Sequence, residues 1–373
     1  MIILKLLSFQ PGSLYKNGGA ARVLRRLYQG KETSVLSLGL TDKPGKILTG
    51  NIPETIIEIF PLQRRWMRWK IRNLVIWLRE VVFKFLTVNR LRKIAAAMSY
   101  DVIHLVHHWP YSMAICTDRL LADKQLWVSF HDHYATANTT YTNTKILWNL
   151  AHRRLVISEE LGCEYQRLFG YNDFEIITDG LADDEISLPH GINSTGQVTI
   201  YFSGLLHFAY YPLFNVLADA LDRLSKQGFS FKLIIRGTGV VNILTGRLFI
   251  VDYRPDFISD AGIKEEMDTA SILYLPIKFT TPEFYLYSLS TKMIGYLGAP
   301  GSILFHGPVN SAAGALLQHA NAAECCTSLN VDDMVKSIIN LIDNNGCVSN
   351  NAKILAQKKF NLAEIQLKFW QNA

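Results

Sequence analysis

Paired cysteines are missing from this chain. Its five cysteines, Cys116, Cys163, Cys325, Cys326 and Cys347, are scattered over 373 residues. They form no CxxC pair and no disulfide-like spacing. That excludes a disulfide scaffold and a thiolate metal knuckle, and points to a reducing, cytoplasmic setting with the thiols packed as small apolar groups. Long hydrophobic runs are missing too. No window of 18 apolar residues lacks charge, so no transmembrane helix is expected. The first residues, Met1 to Phe9, are apolar, but Lys5 breaks the run and Gln10-Pro11-Gly12 follows without a small-residue cleavage site. This reads as a first buried strand rather than a leader. Charged residues are few, 19% against 49% apolar, a balance that fills large cores and excludes global disorder. Short-period repeats and low-complexity tracts are also lacking. The length suits two domains.

The charge that is present is unevenly placed. The whole chain carries +6, yet residues 61–93 hold ten basic residues and one acid, Glu80. The remainder is therefore slightly acidic, and the basic character belongs to one segment. Within it Arg64, Arg65, Trp66, Arg68, Trp69, Arg72 and Trp77 interleave cations and tryptophans at helical spacing. Such a helix can lie in an anionic membrane interface, here the inner face, each surface-adjacent cation contributing about 1 kcal/mol. The same pattern fits a core-packed helix with a solvated basic face. No helix-turn-helix, zinc or RNA-binding signature accompanies the charge, so nucleic acid is not expected as a partner.

Apolar runs of strand length alternate with helical patterns along the whole chain. Strands are predicted at 2–8, 34–38, 55–59, 102–106, 127–130, 155–157 and 174–177. After a polar linker at 182–196 they resume at 198–202, 231–235, 248–251, 272–275, 303–305 and 324–326. Near-continuous apolar strands separated by helices predict an α/β fold with parallel sheets covered on both faces. The expected organisation is two Rossmann-like, doubly wound domains, 1–190 and 191–350, and a helical run at 351–373 crossing back to the first domain. In such sheets ligands bind at the carboxyl ends of the strands.

The most informative stretch is Tyr287-Ser288-Leu289-Ser290-Thr291-Lys292-Met293-Ile294-Gly295. Small polar residues lead to a lysine that opens a helix. Ser290 or Thr291 can cap it, and Lys292 adds a full charge to the unpaired N–H groups of the first turn. That combination grips a diphosphate without a metal; an ordinary helix start with a surface lysine reads the same way. Five histidines, His104, His107, His108, His131 and His133, lie close in sequence. His131 and His133 would share one face of an extended strand, which raises a metal site. No carboxylate or cysteine completes a recognised ligand spacing, so no metal is expected.

Together these features resemble glycosyltransferases of the GT-B fold, most closely the retaining family 4. The resemblance spans nearly the whole chain through loose motifs. Pro11-Gly12-Ser13-Leu14-Tyr15-Lys16-Asn17-Gly18-Gly19 is similar to that family's glycine-rich loop beside the donor phosphates, which implies a role for Gly18 and Gly19. Asp101-Val102-Ile103-His104 and Ser129-Phe130-His131-Asp132-His133 resemble its two strands followed by histidine, and point to His131 as the residue at the donor sugar. Arg154-Leu155-Val156-Ile157-Ser158-Glu159-Glu160-Leu161 resembles its strand-Ser-Glu-helix unit, Ser158 reading as a helix cap. Ile200-Tyr201-Phe202-Ser203-Gly204 and Leu233-Ile234-Ile235-Arg236-Gly237 resemble the donor loops of the second domain, which brings in Gly204 and Arg236 beside Ser290, Thr291 and Lys292.

The chain departs from that pattern in places. Leu205 and Tyr210 or Tyr211 stand where the family often has Arg and Lys. Its paired glutamates fall on Tyr287 and Gly295. What the resemblance implies is transfer of a sugar from a nucleotide diphosphate donor to a glycan or lipid-linked acceptor, with Lys292 and His131 as the catalytic pair and no cofactor or metal. Two alternatives stand beside this: a sugar-nucleotide epimerase on the same fold, whose acid/base chemistry would call for well-placed carboxylates, and a non-catalytic relative acting as a partner protein, which the missing glutamates suit.

Overall fold

The structure, a computed structural model, describes residues 4–15, 18–39, 45–59, 72–109, 111–192, 196–343 and 346–371. It divides into two units, Met1–Thr178 with Gln366–Ala373, and Asp179–Ile365. The division falls at 178/179, earlier than the boundary at 190 read from the polar linker.

The first unit is built on an eight-stranded sheet. Its strands are β1 (Leu6–Gln10), β2 (Thr33–Gly39), β3 (Gly45–Thr49), β4 (Ile52–Glu58), β5 (Val102–Val106), β6 (Gln125–Phe130), β7 (Arg153–Val156) and β8 (Glu175–Ile176). Their order is β3-β4-β2-β1-β5-β6-β7-β8. Every pairing is parallel except β3 with β4. Order reverses between β1 and β5, the switch point at which open sheets of this kind bind ligands. Every residue of β1 and β5 is buried, which is why both read as mainly apolar runs, with Ser8, Gln10 and His104 as the polar exceptions. The helix Gly19–Tyr28 buries Val23, Leu24, Leu27 and Tyr28.

β3 was not anticipated. It is an exposed edge strand that pairs Thr49 with Ile52 across Gly50-Asn51. Gly50 sits at φ 61°, the left-handed conformation a two-residue hairpin loop needs. Helix was expected throughout the basic segment. Arg64, Arg65, Trp66, Arg68 and Trp69 lie outside the described residues. From Arg72 the chain forms the helix Arg72–Trp77, a π-helical turn Leu78–Val82 and the helix Lys84–Ala96. Val75, Thr87, Leu91 and Ala95 are buried, while Leu74, Trp77, Val81, Phe85 and Leu86 are exposed.

The second unit carries a wholly parallel sheet of β9 (Gln197–Ser203), β10 (Ser230–Arg236), β11 (Ile250–Arg254), β12 (Ile272–Pro276), β13 (Ser302–His306) and β14 (Glu324–Cys326), in the order β11-β10-β9-β12-β13-β14. One face packs on the helices Tyr211–Lys226 and Val331–Asp343 through Phe214, Leu217, Leu221, Ile338 and Leu341. The other packs on Thr291–Gly298, Ala312–His319 and Cys347–Lys359 through Met293, Leu297, Leu317 and Ala356. Two buried faces make the sheet doubly wound, and its order switches between β9 and β12.

The expected C-terminal helical run is two helices, Cys347–Lys359 and Leu362–Trp370. The end of the second is part of the first unit. Arg153 donates to the Phe369 and Lys368 carbonyls, and Trp370 donates to the Leu27 carbonyl at 2.8 Å. Phe369 packs on His104 and Trp127.

Candidate functional site

In the second unit the switch point is occupied by a lysine. Lys292 stands in the first turn of the helix Thr291–Gly298. Its Nζ lies 3.9 Å from the centroid of the Phe202 ring, at the end of β9. The next residues form a tight turn. Gly204 adopts φ 135°, and a Cβ there would lie 3.1 Å from Lys292 Nζ. The backbone therefore favours glycine, and a side chain here would make Lys292 shift. Thr238 locks this turn, donating to the Gly204 carbonyl at 3.0 Å and accepting from Leu206 N at 2.7 Å. One helical turn beyond Lys292, Tyr296 accepts from Ser203 N at 3.2 Å.

Among the described residues no carboxylate or other acceptor pairs with Lys292. Burial without a counter-charge pushes its amine down to about 7. An unpaired ammonium in a half-buried place costs free energy unless something anionic occupies the site. Ser290 holds the N-cap position, but its side chain makes no capping hydrogen bond. The expected hydroxyl cap is not formed, and the first-turn N–H groups beside Lys292 keep no side-chain acceptor.

Arg236 ends β10 and its carbonyl accepts from Gly204 N at 2.9 Å. Its guanidinium, however, is paired with Glu266 and donates to the Asp256 carbonyl at 3.0 Å. Glu266 also accepts from Arg254 at 2.7 Å and from Tyr201 at 2.9 Å. Burial alone would raise the Glu266 carboxyl; the hydrogen bonds from Arg236, Arg254 and Tyr201 outweigh it and hold the group at about 2. Tyr287 is half-buried. Gly295 is buried in its helix, and a Cβ there would meet only Met267 Cε at 4.0 Å.

In the first unit a cavity of about 520 Å³ opens at the carboxyl ends of β1, β5 and β6. Gly18 and Gly19 form one wall with Gln10, and His131, His108, Trp109 and Asn138 complete it. A Cβ on Gly18 would meet no atom within 4 Å, so that glycine borders open space. His131 directly follows β6 and is half-buried. Desolvation is the main cause that lowers its imidazole, to about 4, with Asp132 opposing and His108 assisting. His131 is therefore neutral at pH 7, a hydrogen-bonding group rather than a cation. His108 pairs with Asp132 at 3.3 Å, and its hydrogen bond to that carboxylate raises the imidazole above its ordinary value.

Several members of this site were not anticipated from sequence. Gln10 is 3% exposed, lines the cavity, and its Nε2 has no hydrogen-bond partner among the described residues. A buried amide without a partner is costly, and this one borders a cavity that a ligand could fill. Glu54 is buried in β4 and holds the loop after β1, accepting from Ser13 Oγ at 2.9 Å, Leu14 N at 3.1 Å and Ser37 Oγ at 2.6 Å. Asn138 adopts φ 52°, a strained conformation for a non-glycine residue. The polar end of β1 was a sequence signal for Gln10. The others meet only in the folded sheet.

The remaining histidines divide differently from the sequence grouping. His104 is mid-strand and wholly buried, bonded to Tyr28 at 2.6 Å and Ser129 at 2.7 Å. His107 bonds Thr144 at 2.9 Å. β6 ends at Phe130, so His131 and His133 do not share a strand face. His133 packs instead between Tyr134 and Tyr165. Among the described residues no group of three or more His, Cys, Asp or Glu side chains is placed to hold a metal ion. Ser158 does cap its helix, accepting from Leu161 N at 3.1 Å.

No protein-family profile matches the chain, and no curated protein matches it by sequence. Solved structures do. The chain is similar to HepE of Anabaena in complex with UDP and glucose, with 14% identity, a TM-score of 0.68 and 99% of each chain covered. It is similar to an α,α-trehalose-phosphate synthase (UDP-forming) from Burkholderia xenovorans in complex with glucose 6-phosphate, with 13% identity, a TM-score of 0.65 and 99% of each chain covered. A trehalose-6-phosphate synthase studied with bisubstrate glycomimetics of glycosyl transfer with retention matches at 10% identity and a TM-score of 0.69, covering 99% of this chain and 98% of that one. At these identities the likeness establishes the fold: an α/β chain of two Rossmann-like domains of the GT-B type.

Proposed function

We propose that the chain is a glycosyltransferase that moves a sugar from a nucleoside diphosphate donor to a glycan or lipid-linked acceptor, with retention, in polysaccharide synthesis. The observation that carries this reading is the unpaired, half-buried Lys292 amine against Gly204 at the switch point of the second sheet. In such a reaction negative charge grows on the departing diphosphate, and preorganised donors aimed at it lower the barrier. Lys292 and the uncapped first turn of its helix supply those donors, with Ser290 and Thr291 beside them. Gly204 keeps the approach open. Arg236 acts from behind, its pair with Glu266 bracing the turn. His131 meets a sugar hydroxyl from the cavity that Gly18 and Gly19 border, exchanging a hydrogen bond as a neutral imidazole. UDP and glucose in HepE make UDP-sugars the first donors to try. In this reading the Lys292 charge and the helix N-terminus take the part a metal would play at the diphosphate, and none is called for.

The protein also acts at an anionic membrane surface, in this reading. Among the described residues no helix is long and apolar enough to cross a membrane. Leu74, Trp77, Val81, Phe85 and Leu86 are exposed and follow in sequence on the basic residues of 64–72. At an interface both find partners, and basic stems can snorkel.

The test is a thermal-shift screen of UDP, GDP, ADP and CDP. A diphosphate at 100 times its Kd adds about 2.7 kcal/mol. The matching labelled nucleotide sugar is then offered with lipid extract and excess EDTA. Binding of one diphosphate and EDTA-resistant transfer support the reading. No stabilisation by any of the four refutes it.

A further inference from the structure

Four basic side chains stand at the carboxyl edge of β9, β10, β11 and β12 in the second unit. Two are already matched with acids: Arg236 with Glu266, and Arg254 with Glu266 and Asp252. The other two are lysines. Lys292 has been described. Lys278 lies two residues past the end of β12, half-buried. Its Nζ sits 5.6 Å from the centroid of the Tyr210 ring and 5.7 Å from that of Phe284. Among the described residues no carboxylate or carbonyl accepts from it. An ammonium has three donors, and ring faces leave them able to bond an anion.

Both amines lie against the segment that joins β9 to the helix Tyr211–Lys226, at its two ends. Lys292 meets it at Gly204, where the chain leaves β9, and Lys278 covers Tyr210, where the helix Tyr211–Lys226 begins. β9 and β12 are neighbours in the sheet, so the residues that follow them leave from adjacent positions. The loop that carries Lys278 is also held in an unusual shape, with Thr281 at φ 136°, a conformation that persists only where its surroundings enforce it. A nucleoside diphosphate brings more than one negative charge. One lysine that burial pushes down to about 7 balances only part of it.

We propose that Lys278 is a second diphosphate-binding cation of the nucleotide site, held in place by Tyr210 and Phe284. This rests on the reading of the second unit as the donor-binding half, and adds a residue that its sequence did not single out. Tyr210 and Phe284 orient the amine by cation–π contact without neutralising it as a carboxylate would. The charge stays available, and the rings limit the rotamers to be frozen on binding.

Calorimetry with UDP, UMP and uridine on wild type, Lys278→Ala and Lys278→Arg tests it, GDP, ADP and CDP replacing UDP if the screen favours another base. Lys278 is half-exposed, so neither variant endangers the fold; equal melting temperatures check this. Lys278→Ala is expected to weaken diphosphate binding about 10- to 100-fold, the range of a charge-assisted contact, with a smaller loss for the monophosphate and none for the nucleoside. Lys278→Arg is expected to restore most of it. Unchanged diphosphate affinity in Lys278→Ala overturns the assignment and leaves the donor-binding reading standing. An equal loss for uridine overturns it too, since the lysine would then only shape the base pocket through Tyr210. If the wild type binds none of the diphosphates, the donor-binding reading fails and the assignment with it.

Discussion

Replacing Lys292 by methionine separates the work of its charge from the work of its stem. Methionine keeps most of the apolar contact with Phe202 and removes the amine. A charge-assisted hydrogen bond to phosphate contributes about 1.5–3 kcal/mol, so diphosphate affinity should fall about 10- to 150-fold while the nucleoside binds as before. The pH dependence is sharper. In the free protein the amine titrates at about 7, and the anion binds its protonated form. Above pH 7 each bound diphosphate must draw a proton onto Lys292, so Kd should rise by up to about tenfold per pH unit between pH 7.5 and 9. The ligand's last phosphate ionisation, near 6, lies below that window. Lys292→Arg, always charged, should flatten the profile. Stability should move the opposite way. The folded-state value lies below the unfolded 10.5, so protonation penalises the fold fully below about pH 7 and not at all above pH 10.5. At 1.36 kcal/mol per unit the penalty is at most about 5 kcal/mol, and about 1–2 after discounting for partial exposure. Lys292→Met should therefore melt about 2–4 °C higher near pH 6.5 and lose that advantage toward pH 10. Titration calorimetry and thermal melts across pH 6.5–10 read both effects. Equal weakening of nucleoside and diphosphate, or a flat wild-type Kd between pH 7.5 and 9, would refute the reasoning.

Three other perturbations are informative. His131→Ala should lower turnover about 10- to 100-fold and leave the melting temperature nearly unchanged, because the imidazole borders a cavity and its contact with the sugar counts mainly in the transition state; a core-sized loss of stability with normal turnover would make it a packing residue. Glu54→Gln should cost about 1–3 kcal/mol in urea denaturation and raise KM, since a neutral amide cannot replace a buried carboxylate that accepts from Ser13, Leu14 and Ser37; an unchanged midpoint and KM would show that the loop stands without it. Vesicle flotation should show binding to acidic lipid at low salt and release at high salt. Gln at Arg64, Arg65, Arg68 and Arg72 should reduce flotation without altering diphosphate binding, and a wild type that stays unbound at low salt would rule out membrane docking.

The fold was legible because strand-length apolar runs alternate with helical periods. β5 lies at 102–106 as its sequence reads, and β1 to β14 follow the predicted alternation with one addition. That addition, β3, was hidden by its own chemistry: an edge strand exposed to water carries no apolar stripe, and only Gly50-Asn51 marked it. The small residues around Lys292 and the loop ending in Gly18-Gly19 were also visible, since anion sites at helix starts need particular residues at short spacing. Sequence alone could not show which charges are available. Arg236 and Lys292 look equivalent as letters, but Glu266, 30 residues from Arg236 in sequence, takes the arginine and leaves the lysine unpaired. Gln10, His108, His131 and Trp109 border one cavity because β1, β5 and β6 are neighbours in the sheet. Composition and period dictate strands and helices locally. Pairing between strands distant in sequence decides which polar groups meet a partner and which are left for a ligand.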